Sequence, residues 1–302
     1  MTITEVNYFL SVCRTGNISQ AANNLYISQP ALSRAIRSLE AEFGCTLFVR
    51  GRGKQFVELT EAGKKFRSIA ERWQSLYSEA KNMSHMSTRI LYAVSATDSM
   101  NAAILASVFQ KLMLHIPNIS LTIRSYLSAE SYTLVENGSI DIALIAISRY
   151  SKFVESIPLF SEKMLFVCSA EQNYPDNILP QELDPTKEIR IPWSNEYDIW
   201  HSRWFSPFAS PLLFIQHTNL VHEMLLTLDS WAILPASLAA PMIHTGKYRT
   251  CNIVNGPPNR IGYCIRGRNQ NAQVDRLFLR LVHERICELD GLTSLVQSEI
   301  IA

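Results

Sequence analysis

Nothing in this chain of 302 residues runs for the roughly 18 consecutive apolar residues that a membrane helix requires, so no membrane partner is expected. The opening Met1-Thr2-Ile3-Thr4-Glu5 lacks the basic start and apolar run of a secretory leader. Cysteine is sparse and scattered. Cys13, Cys45, Cys168, Cys251, Cys264 and Cys287 form no C-x-x-C pair, which predicts free thiols packed as small hydrophobes in a reducing compartment. Net charge is nearly absent as well, at +1. The chain has no G-x-S-x-G elbow, no P-loop and no G-x-G-x-x-G turn. Its seven histidines make no zinc-ligand spacing with Cys or Glu. No catalytic residue, metal ligand or cofactor is therefore expected, and the chain reads as something other than an enzyme. With 47% hydrophobic residues it is not globally disordered, and its length predicts two domains.

What is present begins with a compact helical segment. Val6, Phe9, Leu10 and Cys13 recur at helical spacing, and Thr15-Gly16-Asn17 stops that helix. Ser19 is the expected cap of a short second helix carrying Ala21, Ala22 and Leu25. Ser28 caps a third, with Pro30 in the first turn, where a missing N–H costs little. Leu32, Ile36, Leu39 and Phe43 make its apolar stripe, and Gly44 ends it. Gln29, Ser33, Arg34 and Arg37 are expected on the opposite face. Two close helices of this kind describe a helix-turn-helix, and Gln and Arg can read adenine and guanine edges in a major groove. The same face would also serve as a merely solvated surface.

Two short strands, Leu47–Arg50 and Phe56–Leu59, flank the basic glycine turn Gly51-Arg52-Gly53-Lys54. This predicts a wing whose Arg50, Arg52 and Lys54 reach phosphates or a minor groove. Residues 1–72 hold ten Lys/Arg and six Asp/Glu, a local +4 that leaves −3 elsewhere. Ala62, Phe66, Ile69, Trp73, Leu76, Ala80 and Met83 then step by four and three. That narrow seam predicts a paired helix, with Phe66, Ile69, Trp73, Leu76, Ala80 and Met83 against a second copy. Ser84–Thr88 is a polar hinge, and strands alternate with helices beyond it, an α/β pattern.

The run Ala21-Ala22-Asn23-Asn24-Leu25-Tyr26-Ile27-Ser28-Gln29-Pro30-Ala31-Leu32-Ser33-Arg34, continued by Leu39-Glu40, Gly44, Leu47-Phe48, Arg50 and Leu59-Thr60-Glu61-Ala62-Gly63, resembles the signature of LysR-type transcriptional regulators. The resemblance implies an N-terminal winged helix-turn-helix (all-α with a small β wing) over residues 1–60. A linker and dimerisation helix over 61–88 would follow, then a two-lobed α/β effector domain of periplasmic-binding-protein type over 89–302. Lobe I would use about 89–162 and 267–302, and lobe II about 163–266. It implies a bacterial, cytoplasmic, nucleoid-associated regulator of transcription. Its partners would be double-stranded DNA, itself as homodimer or homotetramer, a small effector and RNA polymerase. Ser28, Gln29, Pro30, Ser33, Arg34, Arg37, Arg50, Arg52 and Lys54 become the DNA-binding candidates.

Ligands in α/β sheets lie beyond the carboxyl ends of strands. Polar residues there make Ser95, Thr97, Ser99, Ser128, Trp193, Thr218 and Asn219 the effector candidates, although a Ser or Thr at such a point also serves as a helix cap. One stretch departs from the family. Where it usually shows Gly-x-Gly before an apolar run, this chain has Leu228-Asp229-Ser230-Trp231-Ala232, which predicts a narrower pocket at Trp231. The aromatics Trp193, Tyr197, Trp200, Trp204, Phe205 and Phe208 are expected as packing rather than a ligand box.

Overall fold

The computed structural model describes residues 1–50, 57–82, 89–206, 208–267 and 271–296. The chain divides into two compact units, Met1–Thr88 with Glu136–Ser139, and Arg89–Val135 with Ile140–Ala302.

In the first unit, helices α1 (Ile3–Thr15), α2 (Ile18–Asn24) and α3 (Gln29–Phe43) precede strands β1 (Phe48–Arg50) and β2 (Val57–Leu59) and helix α4 (Glu61–Asn82). Helices start where a side chain captures an orphan backbone N–H. Thr2 and Glu5 form a capping box at α1, and the Ser28 hydroxyl accepts from Ala31 N at α3. The cap of α2 is Asn17, not Ser19; its amide oxygen accepts from Gln20 N at 3.1 Å. Gly16 and Gly44 end α1 and α3 in the left-handed region. The core joins Val6, Phe9, Ala21, Ala22, Leu32, Ile36, Leu39, Leu47, Phe48, Phe66 and Ala70. Phe9 packs on Phe48 and Phe66 at centroid distances of 5.1 and 4.9 Å.

The two strands pair antiparallel, and α3 and α4 hold them in place. The Glu40 carboxylate accepts from Leu47 N and Phe48 N at 2.8 and 3.2 Å. Thr60 donates through its hydroxyl to Thr46 O and accepts from Gly63 N. A Cβ at Gly63 would lie 2.1 Å from the Leu47 carbonyl oxygen, so only glycine lets α4 approach β1 this closely.

The second unit holds two sheets. The first uses β3 (Ile90–Ala96), β4 (Ile119–Ser125), β5 (Ile142–Ile145), β6 (Glu155–Glu162), β13 (Arg260–Arg266) and β14 (Leu292–Ser294), in the order β14-β6-β13-β5-β3-β4. The second orders β7 (Met164–Ser169), β8 (Asn177–Ile178), β11 (Trp231–Pro235) and β12 (Tyr248–Ile253) as β11-β7-β12-β8. A parallel pair, β9 (Ile189–Arg190) and β10 (Leu213–Phe214), stands beside it. Both sheets are mixed. β3 runs parallel to β4 and β5, whereas β13 runs antiparallel to β5 and β6.

The first sheet is covered by α5 (Asp98–Met100), which passes through a π-helical turn at Asn101–Leu105 into α6 (Ala106–His115), and by α7 (Ser128–Glu136) and α11 (Ala272–Glu288). Val108, Phe109 and Leu112 of α6 are buried with Phe278, Leu281 and Val282 of α11, while Met113 is exposed. Helices α8 (Asn195–Trp204), α9 (Val221–Thr227) and α10 (Ala236–His244) complete the second lobe.

One boundary moves. A lobe II ending near 266 would include β13, but β13 hydrogen-bonds between β5 and β6 and belongs to lobe I. The aromatic stretch is core at Trp193, Tyr197, Trp200 and Phe205, while Phe208 is exposed. Burial pushes the thiols of Cys13 and Cys168 up to about 12, as expected for cysteines that pack rather than react.

Candidate functional site

Two sets of candidates fall in different parts of the fold. The first is the exposed side of α3. Ser28, Gln29, Pro30, Arg34 and Arg37 all face solvent there. Neither Arg34 nor Arg37 has an ion-pair or hydrogen-bonded partner among the described residues, so none of these draws on their guanidinium donors. Ser33 does not belong with them. It is 4% exposed and its hydroxyl has no hydrogen-bond partner among the described residues. The small residues Ala21 and Ala22 of α2 share the head core with Leu32 and Ile36 of α3. Tyr26 carries no spacing signal and emerges only from the structure. It lies in the turn before α3 with φ 55° and its ring is 95% exposed. A tyrosine held in the left-handed region costs about 1 kcal/mol or more, strain of the kind that clusters at functional surfaces. Arg52 and Lys54 lie outside the described residues, as do Met83 and the hinge at 84–88; Arg50 ends β1.

Along α4 the seam divides. Phe66 turns inward and is 7% exposed against Phe9 and Phe43, so it packs its own head rather than a second copy. Ile69, Trp73 and Leu76 are exposed, with Tyr77 beside them, and Ala80 follows on the same side. Exposed apolar residues at this spacing are the uncovered remainder of the helix stripe.

The second set lies in the α/β unit, and the structure separates it into two groups. Ser95 and Ser128 are internal. The Ser95 hydroxyl meets that of Ser131 at 3.2 Å, and Ser128 accepts from Ala146 N and Ile147 N, each at 3.3 Å. Asn219 is exposed. Thr97, Ser99, Trp193 and Thr218, by contrast, gather where the lobes meet. Ser99 accepts from Arg260 Nη1 at 2.8 Å, and the Arg260 guanidinium stands over the Trp193 ring, 5.4 Å from its centroid. Trp193 donates from its indole to Ile233 O at 2.7 Å. Thr97 and Ser99 hydroxyls lie 3.4 Å apart.

Three charged residues that no motif marks organise this junction. Asp98, the first residue of α5, accepts at Oδ2 from both the backbone N–H (2.9 Å) and the hydroxyl (2.7 Å) of Thr218. Glu162, at the end of β6, accepts from Arg260 Nε and Nη2 at Oε2, and from Ser237 N at Oε1 at 2.8 Å. Both Glu162 and Arg260 are buried. A buried ion pair of this kind holds only if its remaining atoms are satisfied, and here Ser99 and Ser237 do that. Asp98 sits within the polar run that makes Thr97 and Ser99 candidates. Glu162 and Arg260 are 98 residues apart, and no local spacing joins them.

Trp231 does not narrow this junction. Its ring is fully buried in the core of lobe II, stacked 5.8 Å from Phe166, and its indole donates to Asp184 O. The nearby buried Glu188 accepts from the Tyr197 hydroxyl and pairs with His201 Nε2 at 2.7 Å. A cavity of about 490 Å³ lined by Lys152, Phe153, Glu155, Arg266 and Asp275 contains none of the candidates.

The chain matches the family model described as bacterial regulatory helix-turn-helix protein, lysR family, over residues 3–64, and that of the LysR substrate binding domain over residues 91–286. It is 27% identical over 168 residues to a probable cat1 operon transcriptional activator of Acinetobacter lwoffii, across 54% of each chain. The match thus spans about half the length of that relative. Among solved structures, a full-length OxyR variant from Pseudomonas aeruginosa superposes with TM-score 0.66 at 17% identity, covering 98% of this chain and 99% of that one. Full-length CbnR complexed with its target DNA gives 0.61 at 18% identity, covering 94% and 100%. At these identities the solved structures bear on the fold. Residues 3–64 and residues 91–286 each match their own model, and the chain belongs to the LysR family of bacterial regulatory helix-turn-helix proteins.

Proposed function

We propose that this chain is a sequence-specific DNA-binding regulator of transcription, modulated by a small molecule held between the two lobes of its α/β unit. The observation that carries the reading is the exposed face of α3, where Gln29, Arg34 and Arg37 stand without side-chain partners among the described residues. A helix face with free bidentate donors, in a segment carrying +4, suits base edges and phosphates. The CbnR complex with target DNA supports a duplex as the partner of this fold. The expected reader set is Ser28, Gln29, Pro30, Arg34 and Arg37, with Arg50, Arg52 and Lys54 on the flanking backbone. Tyr26 joins it at the edge.

Arg34→Ala is expected to cost about 1–3 kcal/mol at one base position and to relax preference there. Selection from a randomised duplex pool measures this. Unchanged discrimination removes Arg34 from the base readers.

Self-pairing through Ile69, Trp73, Leu76 and Ala80 would place two heads on one roughly palindromic site, as a dimer or as a tetramer of two such pairs. Ile69→Glu is expected to weaken self-association at least tenfold, about 1.4 kcal/mol. Analytical ultracentrifugation reads it, and an unchanged sedimentation profile refutes the paired helix. The chain would work in the cytoplasm, on the nucleoid, with RNA polymerase as the downstream partner. An effector could shift the lobes only by its differential affinity for two arrangements.

A further inference from the structure

We infer that Asp98 sets the charge of the ligand accepted between the lobes. It fills the anion position at Thr218 with the chain's own carboxylate, so the effector head that fits there is cationic. This rests on the reading that the junction holds the effector.

Thr218 turns two donors, its N–H and its hydroxyl, onto Asp98 Oδ2 at 2.9 and 2.7 Å. Two convergent donors of this kind are what a free carboxylate or phosphate would otherwise seek. The second such position is also taken, since Ser237 N donates to Glu162 Oε1 at 2.8 Å. In both cases a carboxylate of lobe I is held by lobe II. The cation buried beside Glu162 is Arg260, and each of its three guanidinium nitrogens already donates to Glu162 or Ser99. Glu162 thus spends the guanidinium and Asp98 the Thr218 donors, and an arriving anion meets engaged donors and, at Asp98, a like charge. Asp98 is half-buried, and its Oδ1 has no hydrogen-bond partner among the described residues. That oxygen is an acceptor left for a donor group, and an ammonium or guanidinium head supplies both the donor and the opposite charge.

The test uses the full-length chain and thermal unfolding in sodium acetate against sodium chloride at equal ionic strength. Asp98→Ala empties the position, and acetate is expected to raise its Tm by about 3 °C at tenfold over half-saturation. The parent and the Asp98→Ala/Thr218→Val double variant are expected to show no acetate effect. The parent is then titrated with agmatine and putrescine, and with succinate. A cation is expected to stabilise it, and Asp98→Asn, which keeps an amide oxygen for Thr218, is expected to lose at least tenfold in that response. Asp98→Asn also serves if the alanine variant does not fold. Acetate acting equally on parent and Asp98→Ala overturns the inference, as does succinate stabilising the parent through Thr218. Acetate rescue without any response of the parent to either cation keeps the anion position at Thr218 but sinks the effector reading.

Discussion

Arg260→Met is expected to lower the stability of the α/β unit by about 3–5 kcal/mol, because it leaves the buried Glu162 carboxylate without its counter-charge. The loss is not that of one contact. Ser99 loses its donor in the same step, and Ser237 N is left facing a charge that no cation balances. Urea unfolding of the full chain followed by tryptophan fluorescence reads the effect, since Trp193, Trp200, Trp204 and Trp231 all lie in this unit. A second substitution separates charge from packing. Glu162→Gln keeps an acceptor for Ser237 N and removes the charge, so the Glu162→Gln/Arg260→Met pair should recover most of the loss. Additive losses in the double variant would mean that the two residues act independently, contrary to their geometry.

Trp231→Ala is expected to cost a similar amount, about 3–5 kcal/mol, for an apolar reason. The ring is fully buried between Phe166 and Phe205, with centroids 5.8 Å away on each, and its indole satisfies the Asp184 carbonyl. Truncation leaves a cavity that β7 and β11 cannot close, because both are fixed by their register. Trp231→Phe keeps most of the ring and loses the hydrogen bond, for about 1–2 kcal/mol. If Trp231 instead formed a pocket wall, the alanine variant would change ligand response at nearly unchanged urea midpoint.

These residues also mark where the sequence could and could not be read. The head was legible because its signals are local. The Ser28 cap, the 4-3-4 stripe of Leu32, Ile36, Leu39 and Phe43, and the Gly44 stop each span a few residues. Errors there came from packing partners that spacing does not name. Ser33 has the spacing of a solvent-facing residue, yet it is buried, and Phe66 fits a heptad while serving the head core. The choice between Asn17 and Ser19 turned on which side chain reaches Gln20 N.

In the α/β unit the buried strands β5 and β11 were plain from their apolar runs. β6 was not. Pro158 interrupts it, and a proline argues against an interior strand. The structure accommodates it where the register between β6 and β13 shifts at Gly262/Tyr263, so the missing N–H falls at an irregularity. The junction between the lobes was half legible. Thr97, Ser99 and Thr218 follow from the rule that sites lie past strand ends. The roles of the carboxylates could be assigned only once Thr218 was brought to Asp98 of α5, and β6, β13 and α10 to one another around Glu162.

The placement of β13 has a consequence for biosynthesis. Among the described residues β6 pairs with β13 and β14 alone, and β5 has β13 as one of its two neighbours. A ribosome emits the chain from its N-terminus, and domains generally fold as units while it does so. Every strand of the second lobe has left the ribosome once Ile253 is out, before Arg260 follows. The later-numbered lobe therefore matures first, while the earlier one waits with an unpaired β6 edge until its last strands arrive. A nascent chain stalled between these points would carry a finished helix-turn-helix head and a finished insert on an open, adhesive sheet, the stage at which a holdase chaperone has most to cover.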